Sequence, residues 1–379
     1  MSESNPTHPT RRSTTIFSPN TFLLSLLVPI TAAVILYQLD SFDPAPLPTH
    51  EFSGQPVSVP LQNPRLLHGS ELVGEGQLLG PEDLAYDPKT GVIYTGCYDG
   101  WIKRVTVNES AADSVVESWV NTGGRPLGLV LGHDDDGLLR VTGDGQLEML
   151  TNEAEGVEFR LTDGVDITDE GIIYFTDASS KHNINEVTWD MMEGRPYGRF
   201  MSYDPSTEQT QVLVRDIYFA NGVAVSPDQQ FVVFCETIMR RCKRYHIQGE
   251  KKGSVDIFID NLPGVPDNIR YDGEGQYWIA LASGTTFALD LAQRYPFIRK
   301  AMAMVEKYIE TPHMEKYSGV LAVDLEGKPL AHYYDPALSL ITGGIKIGDH
   351  LYCGSLLRPH IIRLNLTQHP AVSGTVTKS

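Results

Sequence analysis

Phe219-Ala220-Asn221-Gly222-Val223-Ala224-Val225-Ser226-Pro227-Asp228 decides the fold. Asn221 stands two places before Val223, the first apolar residue of an alternating strand. A Ser-Pro-Asp turn follows, and then a second strand, Phe231-Val232-Val233-Phe234. The same step recurs along the chain, with Glu82 before Leu84, Leu127 before Leu129, Asp163 before Val165, Asp267 before Ile269 and Gly343 before Ile345. Alternation of period two marks these flanks as strands, and the Asp, Gly and Pro between them suit hairpin turns. Successive strand starts lie 45, 36, 58, 46 and 76 residues apart. A repeat near this length, built of short strands, is the mark of a propeller blade. The chain is therefore expected to be all-β, a six-bladed β-propeller over residues 72–369. Equivalent offsets in successive blades face one axis. Glu82, Asp163, Asn221 and Asp267 should then converge there, and hard oxygens with three negative charges suit Ca²⁺. A single Asp or Asn before a strand more often caps a turn. Four at one register favour a metal ion.

Bulk composition narrows the partners. Of 379 residues, 41% are hydrophobic and 21% charged, enough for a sizeable core. The net charge of -18 repels phosphate backbones, and no basic run offsets it, so nucleic acid is not an expected partner.

Arg11 and Arg12 precede an uncharged stretch, Ser13 to Leu39, long enough to span a bilayer. The basic flank predicts a cytoplasmic N-terminus (1–20), a transmembrane or signal-anchor helix (21–39) and a lumenal remainder. A cleaved secretory signal is the alternative. The apolar run is long for a signal core and no clear cleavage site follows it, which favours a type II anchor. Either way the body enters the endoplasmic reticulum, or endomembranes beyond it such as the vacuole or plasma membrane. Residues 40–71, Pro-rich at the start, are expected to form a stalk, and 370–379 a tail. Asn108-Glu109-Ser110 and Asn365-Leu366-Thr367 are candidate glycosylation sites. Cys235 and Cys242 flank the turn of an expected hairpin and could bridge; buried thiols are the other reading.

Two intervals exceed a bare blade. One contains Lys181–Arg199. The other, 288–309, is amphipathic and reads as a helical insertion, with Pro296 interrupting it or opening its second half. It could lid the channel, touch a membrane or pack on the propeller.

Gly80-Pro81-Glu82-Asp83, Phe219-Ala220-Asn221-Gly222-Val223, Ser226-Pro227-Asp228 and Pro266-Asp267-Asn268-Ile269 resemble the strictosidine synthase-like, paraoxonase and gluconolactonase superfamily. Gly123-Gly124-Arg125-Pro126-Leu127-Gly128 and Tyr174-Phe175-Thr176-Asp177 resemble its plant strictosidine synthase-like branch, of the adipocyte plasma membrane-associated protein type. The resemblance covers about Leu72 to Leu366. It implies a six-bladed propeller with Ca²⁺ in the channel, held by Glu82, Asn221 and Asp267 and assisted by Asn268. At Asp163 paraoxonases carry Asn, an exchange a hard cation tolerates. Two departures matter more. The catalytic His of paraoxonases is replaced by Leu127, and the essential Glu of strictosidine synthase is missing from Leu340-Ile341-Thr342-Gly343-Gly344.

The leading expectation is a Ca²⁺-dependent hydrolase of small-molecule lactones or aryl esters, with Asp267 as nucleophile or general base. A membrane-tethered, non-catalytic propeller is the alternative. Strictosidine-type condensation is disfavoured by the missing acid. His133, in a run of Asp residues, reads as a solvated turn without the spacing of an EF-hand. No G-x-S-x-G, H-E-x-x-H or P-loop is present.

Overall fold

A computed structural model describes residues 19–52, 55–131, 138–309 and 315–373. The turn at His133, residues 1–18 of the expected cytoplasmic terminus and 374–379 of the tail lie outside the described residues. The alternating strands pair into antiparallel sheets in chain order. The first sheet holds Leu84–Asp87, Val92–Gly96, Trp101–Thr106 and Val115–Asn121. The second holds Thr162–Ile167, Ile173–Asp177, Gly198–Asp204 and Gln209–Ile217. The third holds Ala220–Val225, Phe231–Glu236, Arg241–His246 and Val255–Ile259. Gly264–Tyr271, Tyr277–Gly284, Ser318–Val323 and Pro329–Asp335 begin the fourth; Ile341–Ile347, His350–Ser355 and Ile361–Asn365 begin the fifth. From the second sheet onward each innermost strand touches the next, and the fifth touches the first. The result is an all-β propeller with few helices.

The expectation of six blades is corrected to five sheets of four or more strands among the described residues. The stretch 127–158 yields only two short ladders, Leu139–Val141 with Leu147–Met149 and Glu153–Ala154 with Val157–Glu158. Most of their residues are exposed, so little apolar area is available to hold a full sheet together. The step at Leu127 nevertheless stays at the axis. Gly128 N donates to Asp163 O (3.1 Å) and Leu129 N to Asp83 Oδ2 (2.9 Å).

The ring is closed by the chain's N-terminal side. Glu71–Val73 pairs with Ile361–Asn365 and completes the fifth sheet. Leu61–Asn63 runs parallel to Pro329–Asp335 and extends the fourth, with Val372–Ser373 outside it. Val59 and Leu66 are in the core. The expected stalk is thus corrected: much of 40–71 is packed structure, because its apolar residues have sheet edges to cover. The core lies between neighbouring sheets. Phe200 and Phe234, for example, stack at 4.7 Å from the second and third. Burying a ring of this size contributes about 1.5–3 kcal/mol.

Among the described residues four α-helices stand apart from the sheets. The apolar run forms α1 (Pro19–Leu39). Its Leu27, Val28, Ile30, Val34, Ile35, Leu36 and Leu39 are exposed. Among the described residues no helix is long and apolar enough to cross a membrane, so the expected span is corrected to a helix; several α1 side chains lie outside the description. The two long intervals supply α2 (Val187–Glu193), α3 (Phe287–Arg294) and α4 (Pro296–Glu306). Pro296 opens α4, where its missing N–H has no helical partner to lose. Cys235 and Cys242 are directly opposed in the third sheet and joined by a disulfide, whereas Cys97 and Cys353 are buried thiols. Asn108 is exposed. Asn365 is half-buried, its Nδ2 against His350 Nε2 and its Oδ1 accepting from Gln368 N.

Candidate functional site

Asp163, Asn221 and Asp267 reach the channel because the strands that carry them break register there, whereas Glu82 stands just before Leu84–Asp87, which pairs without a slip. Pairing slips between Thr162 and Val165, Ala220 and Val223, Pro266 and Ile269, and Ile341 and Gly343. Such a bulge re-aims a side chain that strict alternation would point into a sheet face. The glycines beside these steps let the inner strands close in. A Cβ on Gly164 would lie 2.7 Å from Asn221 O, and one on Gly222 would lie 2.6 Å from Asp267 O. Threonines of the preceding sheet in the ring fix the backbone. Thr176 Oγ1 donates to Asn221 O (2.8 Å), Thr237 Oγ1 to Pro266 O (2.9 Å) and Thr342 Oγ1 to Glu82 O (2.9 Å).

Glu82, Asp163 and Asp267 bring one carboxylate oxygen each within 4.8 Å of one another. Asn221 joins them, its side chain hydrogen-bonded to the Asp267 carboxylate. Asn268 donates from Nδ2 to Glu82 Oε1 (2.7 Å), so it braces a carboxylate. Glu82 Oε2, Asp163 Oδ1 and Asn221 Oδ1 are buried and, among the described residues, find no hydrogen-bond partner. Orphaned acceptors of this kind cost about 1–3 kcal/mol each unless something outside the protein satisfies them. Burial raises all three carboxyl pKa values, and neighbouring carboxylates add to it. Asp163 is pushed up to about 7, by burial and by Asp83, and Glu82 and Asp267 are raised well above the usual range. A hard cation fits this donor set, since it would supply both the missing partner and the missing charge.

Asp83, one residue from Glu82, has the opposite circumstances. Its carboxylate is paired with Arg270, which also donates to Val165 O and Leu129 O. Arg270 thus ties the first, second and fourth sheets and the 127–158 stretch together beneath the cluster. The sequence reading missed this pair. The signal was present, an Arg three residues after Asp267, but the bulge alters which side chains face inward.

Above the carboxylates lies a cavity of about 320 Å³. Its walls are chiefly apolar, with Leu127, Phe219 and Leu340 from the propeller, Met191 from α2, Leu289 from α3 and Met302 from α4. Leu127 faces this space where the resemblance to paraoxonases places a His, and no His lines it among the described residues. At Gly343 a Cβ would lie 2.7 Å from Glu82 O, which leaves no room for the acid of strictosidine synthase.

The expected helical insertion roofs this cavity together with α2 and a strap from 40 to 47. Leu47 is buried and lines the cavity. The strap is held by Ala45 N donating to Glu193 O (2.8 Å), by Arg195 to Asp43 and by Lys307 to Asp40. Arg299, 3% exposed, caps several carbonyls at once: Met192 O, Ala292 O, Gln293 O and Ala45 O. Burial lowers its pKa to about 10.

The chain matches the strictosidine synthase family over residues 163–250 and the N-terminal region of strictosidine synthase-like proteins over 62–105. Protein STRICTOSIDINE SYNTHASE-LIKE 7 of Arabidopsis thaliana is 51% identical, over 94% of this chain and 98% of its own length. The adipocyte plasma membrane-associated protein of Gallus gallus is 31% identical, over 92% of this chain and 89% of its own. Among solved structures, a gluconolactonase from Xanthomonas campestris superposes with a TM-score of 0.54 at 16% identity, covering 82% of this chain and 96% of that one. A calcium-binding protein, regucalcin, from Agrobacterium tumefaciens gives 0.50 at 17% identity, covering 80% and 95%. At these identities the likeness to the two structures is one of fold.

Proposed function

The chain belongs to the strictosidine synthase-like family, and from that premise we propose that it is a Ca²⁺-dependent hydrolase of small lactones or aryl esters. One observation carries the reading: buried oxygens of Glu82, Asp163 and Asn221, partnerless among the described residues, on the floor of an apolar cavity. The propeller neighbours described as a gluconolactonase and as calcium-binding agree with it. Glu82, Asp163, Asn221 and Asp267 would hold the ion, which would supply polarisation of the substrate carbonyl and stabilisation of the developing oxyanion. Asn268 and Asn221 orient the carboxylates of Glu82 and Asp267. The apolar walls bind the acyl or aryl part and exclude bulk water. Asp267 takes a proton from the attacking water. A bond forms from that water's oxygen to the carbonyl carbon, the bond to the leaving oxygen breaks, and the proton passes to the leaving oxygen. Arg11 and Arg12 before an apolar run, and the Cys235–Cys242 disulfide, support placement of the propeller in the lumen of the secretory pathway.

The test is a panel of lactones and aryl esters with the full chain in detergent, in Ca²⁺ and in chelator. Hydrolysis should require the ion and vanish in Asp267→Ala. Turnover that survives both changes would sink the reading. A folded protein that binds the ion and hydrolyses nothing would point to a non-catalytic propeller.

A further inference from the structure

Arg125 occupies a place that the hydrolytic scheme leaves unused. It reaches inward from the loop after Val115–Asn121 and is half-buried. One NH2 group donates to Leu356 O (3.0 Å), and the guanidinium lies over the Tyr98 ring (4.8 Å). Gly80 makes the room. A Cβ there would lie 2.4 Å from Leu356 O and 3.4 Å from Arg125 NH2. The Nε–H is shut off from solvent and, among the described residues, meets no acceptor. A buried donor with no partner costs free energy unless a ligand satisfies it.

The position is as informative as the missing bond. A second cavity, of about 450 Å³, lies between the first sheet and the 127–158 stretch, with Tyr94, Trp119, Leu129 and Leu131 in its wall. It shares Leu127 and Asp163 with the axial cavity, and Arg125 lines it. Arg125 therefore lines the second cavity, close in sequence to the shared Leu127. Burial lowers its pKa, and Glu82, Tyr98, Cys97 and Asp163 oppose that shift, so its charge lies within reach of two of the three axial carboxylates. Three carboxylates and one divalent cation leave one negative charge in a buried place. Arg125 brings the total to zero. Without it, an anion formed from the substrate would meet an uncompensated negative site.

We propose that Arg125 is the anion-recognising residue of this site, binding the carboxylate of an aryl or alkyl carboxylic acid in the second cavity, beside the axial one. The assignment deepens the hydrolase reading and rests on it in taking the acid product as the natural ligand. Planar guanidinium donors hold a carboxylate through two parallel bonds, which a point charge does not.

The experiment is calorimetric titration of the full chain in detergent with phenylacetate anion, with benzyl alcohol as its uncharged counterpart, and with Ca²⁺ alone. Arg125→Gln should weaken phenylacetate about tenfold or more, the worth of a charge-assisted bond. Benzyl alcohol binding should stay within about twofold, since it rests on apolar contact. Ca²⁺ should bind about threefold more tightly or better, because a like charge near it has gone. Arg125→Lys keeps the charge but not the fork, so Ca²⁺ affinity should match wild type while phenylacetate stays weakened. A purely structural role would weaken all three ligands together in Arg125→Gln, and that result overturns the proposal. So does unchanged phenylacetate affinity in Arg125→Gln, or a wild type that does not bind phenylacetate. If Arg125→Gln does not fold, the Arg125→Lys titrations decide by the same signs. No hydrolysis of any ester would remove the hydrolase reading and leave the phenylacetate result standing.

Discussion

Two carboxylate sites in this molecule, one on the axial floor and one under the roof, behave in opposite ways. On the axial floor, Glu82, Asp163 and Asp267 face one another, and among the described residues Glu82 Oε2 and Asp163 Oδ1 have no partner. Under the roof, every oxygen of Glu193 is engaged. Lys181 Nζ donates to both (2.8 and 2.6 Å), the Tyr197 hydroxyl to Oε1 (2.8 Å), and His182 Nε2 lies 3.0 Å from Oε2. Burial alone would raise the Glu193 pKa, but Lys181, His182 and Tyr197 outweigh it and hold it down to about 2. At Asp163 burial and Asp83 prevail over Arg125, and the pKa rises to about 7. The roof cluster is complete and holds the helices and strap. The floor is incomplete in a way that a cation and a substrate would complete.

The largest effect should come from breaking the floor. Glu82→Gln and Asp267→Ala should each cut hydrolysis by about 10²–10³-fold, the scale of losing a main stabiliser of transition-state charge. Neither should lower stability in chelator, because each removes a repelled buried charge. If Asp267→Ala unfolds the chelated protein, the floor is a structural element and the contrast with Glu193 fails. Next in size is the effect of the ion. At about a hundred times its dissociation constant it should stabilise the wild type by about 2.7 kcal/mol, read by urea unfolding. Glu193→Gln should keep that increment and Glu82→Gln should lose it. A similar increment in both variants would place the cation elsewhere. At the roof itself, Glu193→Gln should cost about 2 kcal/mol by leaving charged partners underused, with Ca²⁺ affinity unchanged.

The floor was legible in the sequence because its residues stand at a fixed offset from strand starts, and a propeller turns a shared offset into a shared axis. That logic finds Glu82, Asp163, Asn221 and Asp267 without knowing where any sheet ends. It overcounted at 127–158, where the offset at Leu127 persists but Leu139–Val141 and Leu147–Met149 are too short and exposed to build a blade. The family resemblance added Asn268 as an assisting residue, and its amide donates to Glu82 Oε1. The roof was legible only in part. Amphipathic spacing announced a helix near 288–309, but nothing local says that 40–47 will cross it. Arg299 holds that crossing through main-chain carbonyls, which any sequence supplies, so no pattern of side chains marks its partners.

The smallest effect is also the one that separates the two sites by sign. Glu193 has its folded pKa, about 2, below the ordinary 4.5, so the stability it gives is present above pH 4.5 and is lost as the pH falls towards 2. After allowance for solvent around its partly exposed partners, about 1–2 kcal/mol should disappear over that window. The gap between wild type and Glu193→Gln in urea unfolding should close across it. Asp163, in chelator, runs the other way. Its folded pKa of about 7 lies above 3.8, so its contribution is present below pH 3.8 and is lost as the pH rises through 7. Asp163→Asn in chelator should therefore gain on wild type as the pH rises from 4 to 8. If both variants drifted in the same direction with pH, the two clusters would share one electrostatic character, and the floor would have no more call for a cation than the roof has.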